Sequence, residues 1–423
     1  MTVCWADRQH HTDTMIQAAL AAADPYTCVL EHLRRQPIVG TVGVLALGKA
    51  AGEMARAAED VLDAQVVTGL VITKPGHPTA RRLPTVYGSH PVPDAGSIAA
   101  AEALLALVQR PLPPDLTWLV LLSGGGSALL TRPAEPLTLA DLQATTRTLL
   151  ACGAEISEIN TLRKHLDTVK GGQLIDALGN RPVRLCVLSD VIGNALADIA
   201  SGPLTPDPTT FADCAAILDR YALWASVPPA VAAVIRAGLA GQRPDTPKPG
   251  DPRFEQVTAC ILADVSIAVQ GAAQAATDLG FTVQVAPHPL TGDVAAAAAQ
   301  VVAALHGPGC YLWGGETTVT LPPQPGHGGR NQQFALAAAR LLAGRAHIHL
   351  FTFATDGSDG PTDAAGASIT GDTWSRALAH GLDPHRALAR CDAYPLFAAL
   401  GDLIRTGPTG TNVNDLTCAL VYD

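Results

Sequence analysis

What most constrains this chain is an alternation. Short β-branched and aliphatic runs are separated by longer Ala/Leu-rich stretches of helical period along almost all of its 423 residues. Each apolar run suits one buried strand and each connection suits a crossover helix, so the pattern predicts α/β layers around a largely parallel sheet. In the first half, strands are expected over 42–47, 66–72, 116–122 and 183–188, and helices over 50–62, 96–108, 137–152 and 171–178. A single long opening helix is expected over 12–35. The segment Gly241–Pro252 holds four prolines and two glycines without apolar periodicity, and reads as a linker between domains at 1–240 and 253–423. Beyond it, strands are expected over 258–262, 281–285, 310–313, 317–321, 348–353 and 418–422. The helices expected there cover 265–279, 293–305 and 331–342.

Composition narrows the function classes. Hydrophobic residues make up 48% and charged residues 16%, which suits an ordered core rather than a disordered chain. Mean hydropathy is +0.21, yet no stretch approaches the ~20 apolar residues of a spanning helix. The stretch Met1–Met15 is polar, without the apolar core of a signal peptide, and a soluble, cytoplasmic protein is expected. The net charge of −10 argues against nucleic-acid and anionic-membrane partners. It leaves room for an anionic small molecule held by a local nest of N–H groups and a few cations. Nine dispersed cysteines without a C-x-x-C pair read as reduced, mostly buried thiols, and no zinc framework is expected.

Several polar, glycine-rich segments follow apolar runs, where open α/β sheets bind ligands. Ser123-Gly124-Gly125-Gly126-Ser127 follows a strand, and its glycines let backbone N–H groups converge on a phosphate; a flexible strand exit is the alternative. Gly43 to Lys49 has the spelling of a P-loop, but its intervening residues are strand-like and Ala50 stands where Ser or Thr would meet magnesium. Lys49 nevertheless sits where a strand opens into a helix, pointing either into a strand-end crevice or to solvent. Arg163, Lys164 and Lys170 make a cationic patch suited to a carboxylate or phosphate, or else a solvated helix face. His165 within it reads as structural. Asp190 follows a strand and suits Mg²⁺, a hydroxyl proton or a turn cap. Asp356, Asp359 and Asp363 form an acidic turn, read as hairpin chemistry or as a hard-cation site without EF-hand spacing, and Arg330 stands at the mouth of a second glycine-rich loop. The spellings G-x-G-x-x-G, G-x-S-x-G and H-E-x-x-H are missing, which favours phosphoryl transfer over dehydrogenase, α/β-hydrolase or zinc-peptidase chemistry.

Taken in order, GKAAGEM (48–54), GSHPVPDAGS (88–97), SGGGSALL (123–130), NTLRKHLDTVKGG (160–172), SDVIGNALADIASGP (189–203), GGRNQ (329–333), TDGSDGPTDAAGA (355–367) and GPTGTNVNDL (407–416) resemble the class II glycerate kinases. This is the D-glycerate 2-kinase family with a C-terminal MOFRL-type domain. The resemblance runs from about residue 40 to the end. It implies a Rossmann-like N-terminal domain with a mostly parallel sheet, a smaller α/β C-terminal domain and an active site in the cleft between them. It further implies transfer of the γ-phosphate of ATP to the 2-hydroxyl of D-glycerate with Mg²⁺, and a homo-oligomer is left open. By motif, the family's catalytic lysine and arginine fall on Lys49 and Arg330. Beside them, the expected roles are phosphate binding for Ser123–Ser127, anion binding for Arg163 and Lys170, and metal or proton chemistry for Asp190, with Asp356 a second metal candidate. The chain departs from the pattern at Asp167, Asn194, Leu204 and Gln333. The competing readings are an NAD(P)H-dependent hydroxypyruvate reductase and a non-catalytic binder of an anionic metabolite.

Overall fold

The structure, a computed structural model, describes residues 5–423; Cys4 lies outside the described residues. The chain folds as two compact units, Pro25–Leu262 and a second made of Ala263–Asp423 with the residues up to Asp24.

In the Pro25–Leu262 unit the expected strands form as β1 (Val42–Leu47), β2 (Val66–Thr73), β4 (Thr117–Leu122) and β5 (Val183–Leu188), joined by a short β3 (Thr85–Tyr87) and by β6 (Val257–Ala263). Their order across the sheet is β3-β2-β1-β4-β5-β6, and β3 to β5 pair in parallel. All six residues of β1 are buried, as near-continuous apolar runs must be when helices cover both faces. A second core lies away from the sheet, among the helices Leu139–Ala151, Ile156–Leu166, Phe211–Arg220 and Pro229–Leu239.

In the other unit the sheet is mixed. Its strands are β7 (Val283–Val285), β8 (Leu290–Asp293), β9 (Gly309–Thr318), β10 (Ile348–Ala354), β11 (Gly366–Thr370), β12 (Leu403–Ile404) and β13 (Asp415–Val421). The order is β12-β11-β10-β13-β9-β7, with β8 also on β9; β9 to β13 pair antiparallel, and β7 and β8 join β9 in parallel. The core packs Phe334, Leu350, Phe397 and Trp374 between this sheet and its helices.

Three expectations are corrected. The long opening helix is two helices, Trp5–Ala22 and Pro25–Arg35, because Pro25 lacks the N–H that would continue the first; the two helices belong to different units. The strand expected over 317–321 is not separate, since β9 runs straight through Gly314-Gly315, which lie too close to Val265 and to the Leu290 backbone for side chains. Most instructive is the proline segment, which is no linker. It lies wholly inside the Pro25–Leu262 unit, and the chain passes to the other unit only after β6.

Buried polar groups hold that segment. Asp207, fully buried, accepts from Thr246 Oγ1 at 2.9 Å and from Thr209 Oγ1 at 2.7 Å, and pairs with buried Lys164 at 3.4 Å. Asp207 N donates to the Pro247 carbonyl, and His165 Nε2 meets Asp245 Oδ1 at 2.8 Å. Asp207→Ala would strip Lys164 of its nearest carboxylate, and breaking such buried pairs costs roughly 3–5 kcal/mol. The expected outcome is a lower urea midpoint together with faster proteolysis at 241–252. If the native segment is cut as quickly as an open linker, this account of it is wrong.

Candidate functional site

In the Pro25–Leu262 unit the strand order reverses between β1 and β4, and both glycine motifs emerge there, at the carboxyl ends of neighbouring strands. This is the switch point at which open α/β sheets bind ligands. Gly48 has φ +123°, and a Cβ on it would lie 2.2 Å from Ser123 Oγ. The two turns are laced together. Ala50 N donates to Ser123 Oγ at 3.1 Å, Ser123 N to Leu47 O at 2.9 Å and Lys49 N to Gly124 O at 2.9 Å. Ser123 is therefore buried scaffold, which corrects its reading as a phosphate donor.

Gly124–Gly126 are better placed. Among the described residues no backbone carbonyl accepts from the N–H of Gly124 or Gly125. Gly125 has φ +86°, and a Cβ there would approach His90 and the Lys49 side chain. Ser127 Oγ lies 2.8 Å from Ser201 Oγ, whose own proton goes to Asn160 Oδ1 at 3.3 Å. The Ser127 proton is thus directed inward to Ser201, because each hydroxyl has one to give.

The electrostatics around this turn are positive. Burial first, then the charges of Lys49, Lys74, His77 and Arg163, push the His90 pKa down to about 4. Arg163 is half-buried, and burial lowers its pKa as well. Its guanidinium donates to Asn160 Oδ1 at 3.4 Å, and among the described residues no carboxylate pairs with it. His77 Nδ1 lies 2.9 Å from the Lys49 carbonyl, which can only accept, so that nitrogen carries a proton. Lys170 behaves differently. Its ammonium is buried and spends its three protons on Leu130 O, Thr131 Oγ1 and Asp167 Oδ2, at 2.7, 3.2 and 2.7 Å. That corrects its reading as a substrate-binding cation. An apolar pocket beside it is lined by Ser127, Leu142, Leu149, Leu162 and Arg163. Asp190 stands half-buried just beyond the carboxyl end of β5.

The second unit presents Arg330 at the start of the helix Arg330–Leu341. Asp359 holds that helix start, accepting from Asn331 N at 3.0 Å and Gln332 N at 2.8 Å. Burial raises the Asp359 pKa to about 7 against the lowering effect of those two N–H groups. Arg330 grips Asp415 through Nε at 2.5 Å and Nη2 at 2.9 Å, and Glu316 through Nη1 at 2.6 Å. Burial by itself would lower the Arg330 pKa, but these partners raise it above its ordinary value. Two of its five N–H groups remain for a ligand. Asp356 follows β10, and its Oδ1 accepts from Ser358 N at 3.0 Å. Among the described residues neither Asp190 nor Asp356 belongs to a group of three or more His, Cys, Asp or Glu able to ligate one ion. Of the departures from the family pattern, Asp167 is the carboxylate of Lys170 and Gln333 bonds the Leu388 carbonyl, so both have structural duties here.

Sequence reasoning did not assign His90, Asn160, Ser201, Asp359 or Asp415 to a site. All five lie inside the resembling motifs, and Asp359 also in the acidic turn, but the motifs by themselves gave them no role. Burial and partner geometry mark them, which no local spacing reveals.

An α/β unit with the 3-2-1-4-5-6 strand order, cations at its switch point and a phosphate-type glycine turn belongs to the class of nucleotide- and phosphate-handling folds. Residues 11–236 match a family described as a domain of unknown function, DUF4147, and residues 309–415 match the MOFRL family. The chain is 39% identical to a glycerate 2-kinase of Pyrococcus horikoshii, over 96% of both chains. It is 40% identical to a putative hydroxypyruvate reductase of Agrobacterium vitis, over 96% of this chain and 93% of that one. The crystal structure of a Thermotoga maritima glycerate kinase aligns with a TM-score of 0.87 at 36% identity, covering 98% of this chain and 99% of the other. The chain belongs to the class II glycerate kinase family.

Two predictions follow from the charges. Arg330→Ala leaves buried Asp415 and half-exposed Glu316 without their cation, so it should lower the urea midpoint, whereas Arg330→Lys should unfold nearer to wild type; equal urea midpoints for the two would contradict the pairing. His90 has an ordinary value of 6.5 and a folded value of about 4, so the unfolded chain takes up the proton first as pH falls. Its neutral form thus contributes stability above pH 6.5 that is lost as pH falls toward 4. His90→Gln should lose less stability over that range in parallel thermal melts.

Proposed function

We propose that this chain transfers the γ-phosphoryl group of ATP to the 2-hydroxyl of D-glycerate, giving 2-phospho-D-glycerate and ADP. The observation that carries this reading is the cluster of Lys49, Lys74 and Arg163 around an N–H-rich glycine turn at the switch point, in a chain whose net charge is −10. Local positive charge in an acidic protein selects a small anion, and glycerate and nucleotide phosphates are both anions.

The roles follow from the geometry of each group. Gly124 and Gly125 offer N–H donors and Lys49 a compact ammonium for phosphate oxygens. Arg163, without a carboxylate of its own, takes the glycerate carboxylate by its planar fork. Asp190 accepts the proton of the 2-hydroxyl as the oxygen attacks. Arg330 is held rigid by Asp415 and Glu316, and its two remaining donors neutralise charge on the transferring phosphoryl group. Phosphoryl transfer depends chiefly on such positioning and neutralisation. Mg²⁺ commonly uses one or two carboxylates plus substrate phosphates; either Asp356 or, in place of its proton role, Asp190 would offer such a hard oxygen donor, and the ion when bound would neutralise phosphate charge.

The test is ADP release from ATP and Mg²⁺ with D-glycerate, L-glycerate and hydroxypyruvate in parallel, with phosphorus NMR of the product. D-glycerate-dependent ADP and a 2-phosphate are expected; no ADP with any of the three would overturn the proposal. Lys49→Ala should fold and lose a hundredfold or more in kcat, about the effect of deleting one charge-stabilising donor. Arg163→Ala should instead raise KM for glycerate more than it lowers kcat.

The likeness to the Agrobacterium vitis putative hydroxypyruvate reductase favours a second reading, NAD(P)H-dependent reduction of hydroxypyruvate. The turn after β1, Gly48-Lys49, lacks the glycine fingerprint that lets a dinucleotide pyrophosphate approach. Saturable quenching of NADH or NADPH fluorescence would support that alternative.

A further inference from the structure

Three side chains that the phosphate-handling residues do not use meet on the β5–β6 side of the parallel sheet. Cys186 projects from β5, Cys260 from β6 and His32 from the helix Pro25–Arg35. Cys260 Sγ lies 3.5 Å from Cys186 Sγ and 3.7 Å from His32 Nε2. The three potential ligand atoms all fall within 4.8 Å of one another, and among the described residues no other group of His, Cys, Asp or Glu does so.

The distances fit an ion between the groups. With Zn–S of about 2.3 Å and Zn–N of about 2.05 Å, a tetrahedral centre has edges of about 3.8 Å between sulfurs and about 3.6 Å between sulfur and nitrogen. The observed edges are close to both, whereas a disulfide would require about 2.05 Å between the sulfurs. Two thiolates and an imidazole are the donors of a borderline or soft ion, and oxygen-seeking Mg²⁺ is a poor match for them. We propose that His32, Cys186 and Cys260 form a Zn²⁺ site, with water in the fourth position.

Charge balance and access support it. On binding, each thiol releases its proton to solvent, and two thiolates with a neutral imidazole neutralise a divalent ion. Cys260 and His32 are half-exposed, which gives the ion a path in, while Cys186 is buried. The position also gives the site a purpose. His32 follows closely on Pro25, where the chain enters this unit, and Cys260 comes just before Leu262, where it leaves. One ion would therefore fasten both ends of the unit to β5, closing a long loop in the unfolded chain.

The test uses the full chain, stripped with chelator under reductant and then exposed to Zn²⁺ alone. One equivalent should survive gel filtration, proton release should accompany binding, and the thermal midpoint should rise. Co²⁺ in its place should give the intense thiolate-to-cobalt absorption of a tetrahedral site. Cys260→Ser and, independently, His32→Gln should weaken Zn²⁺ by roughly a hundredfold or more, since even outer-shell changes cost 10–100-fold. Circular dichroism of the metal-free variants checks that they fold. Failure to retain Zn²⁺ overturns the proposal, as does equal retention by both variants. So does a Cys186–Cys260 disulfide in protein whose reduced form ignores Zn²⁺.

Discussion

The contact on which the site depends is the meeting of Gly48 with Ser123. At the carboxyl ends of two central parallel strands, the Ser123 hydroxyl accepts the N–H of Ala50, and Gly48 leaves it room to do so. Parallel pairing puts Leu47 beside Leu122, so the turns that follow must diverge within a few ångströms of each other. A hydroxyl shared between them sets that divergence. Lys49 and the Gly124–Gly126 backbone then face the same region because their supporting turns are bonded to one another. Ser123 resembles a ligand donor in sequence and acts as the pin that aims its neighbours.

Buried cations in this protein divide by whether a carboxylate accompanies them. Lys164 has Asp207 and Lys170 has Asp167, and both pairs are sealed inside the Pro25–Leu262 unit. Burial of an ammonium without a partner is expensive, so these pairs are locks between chain segments and contribute little charge to a ligand. Arg163 adjoins Lys164 on the same helix and precedes Lys170 in the loop that follows, yet among the described residues it meets an amide oxygen and no carboxylate. The same composition therefore yields two structural pairs and one cation open to an anion. Arg330 represents a third arrangement. It is charge-paired and still has donors to spare, because guanidinium carries five N–H groups where ammonium carries three.

Much of the scaffold was legible locally. Strands β1, β4, β5 and β10 appear as continuous apolar runs bounded by turn residues, since a strand covered on both faces admits little else. The helix Arg330–Leu341 and the glycine turn after β4 were equally plain. The proline segment 241–252 misled, because local composition carries no trace of Thr246 and Asp245 bonding to Asp207 and His165 far away in the chain. The meeting of His32, Cys186 and Cys260 is invisible in the sequence for a similar reason. Its three groups stand 74 and 228 residues apart in sequence, beyond any spacing motif.

The sequence by itself determined the α/β class, most strand positions, and the ordered motifs of a kinase family, with the lysine and arginine that those motifs contain. Those properties reside in local period, residue type and turn chemistry. The tertiary structure alone decided where the units divide, which cations are already neutralised and which hydroxyls are structural. It also decided that an imidazole and two thiols meet at one point. These are matters of desolvation and partner distance, and a charge acquires its role only when the fold has brought, or failed to bring, an opposite charge within a few ångströms.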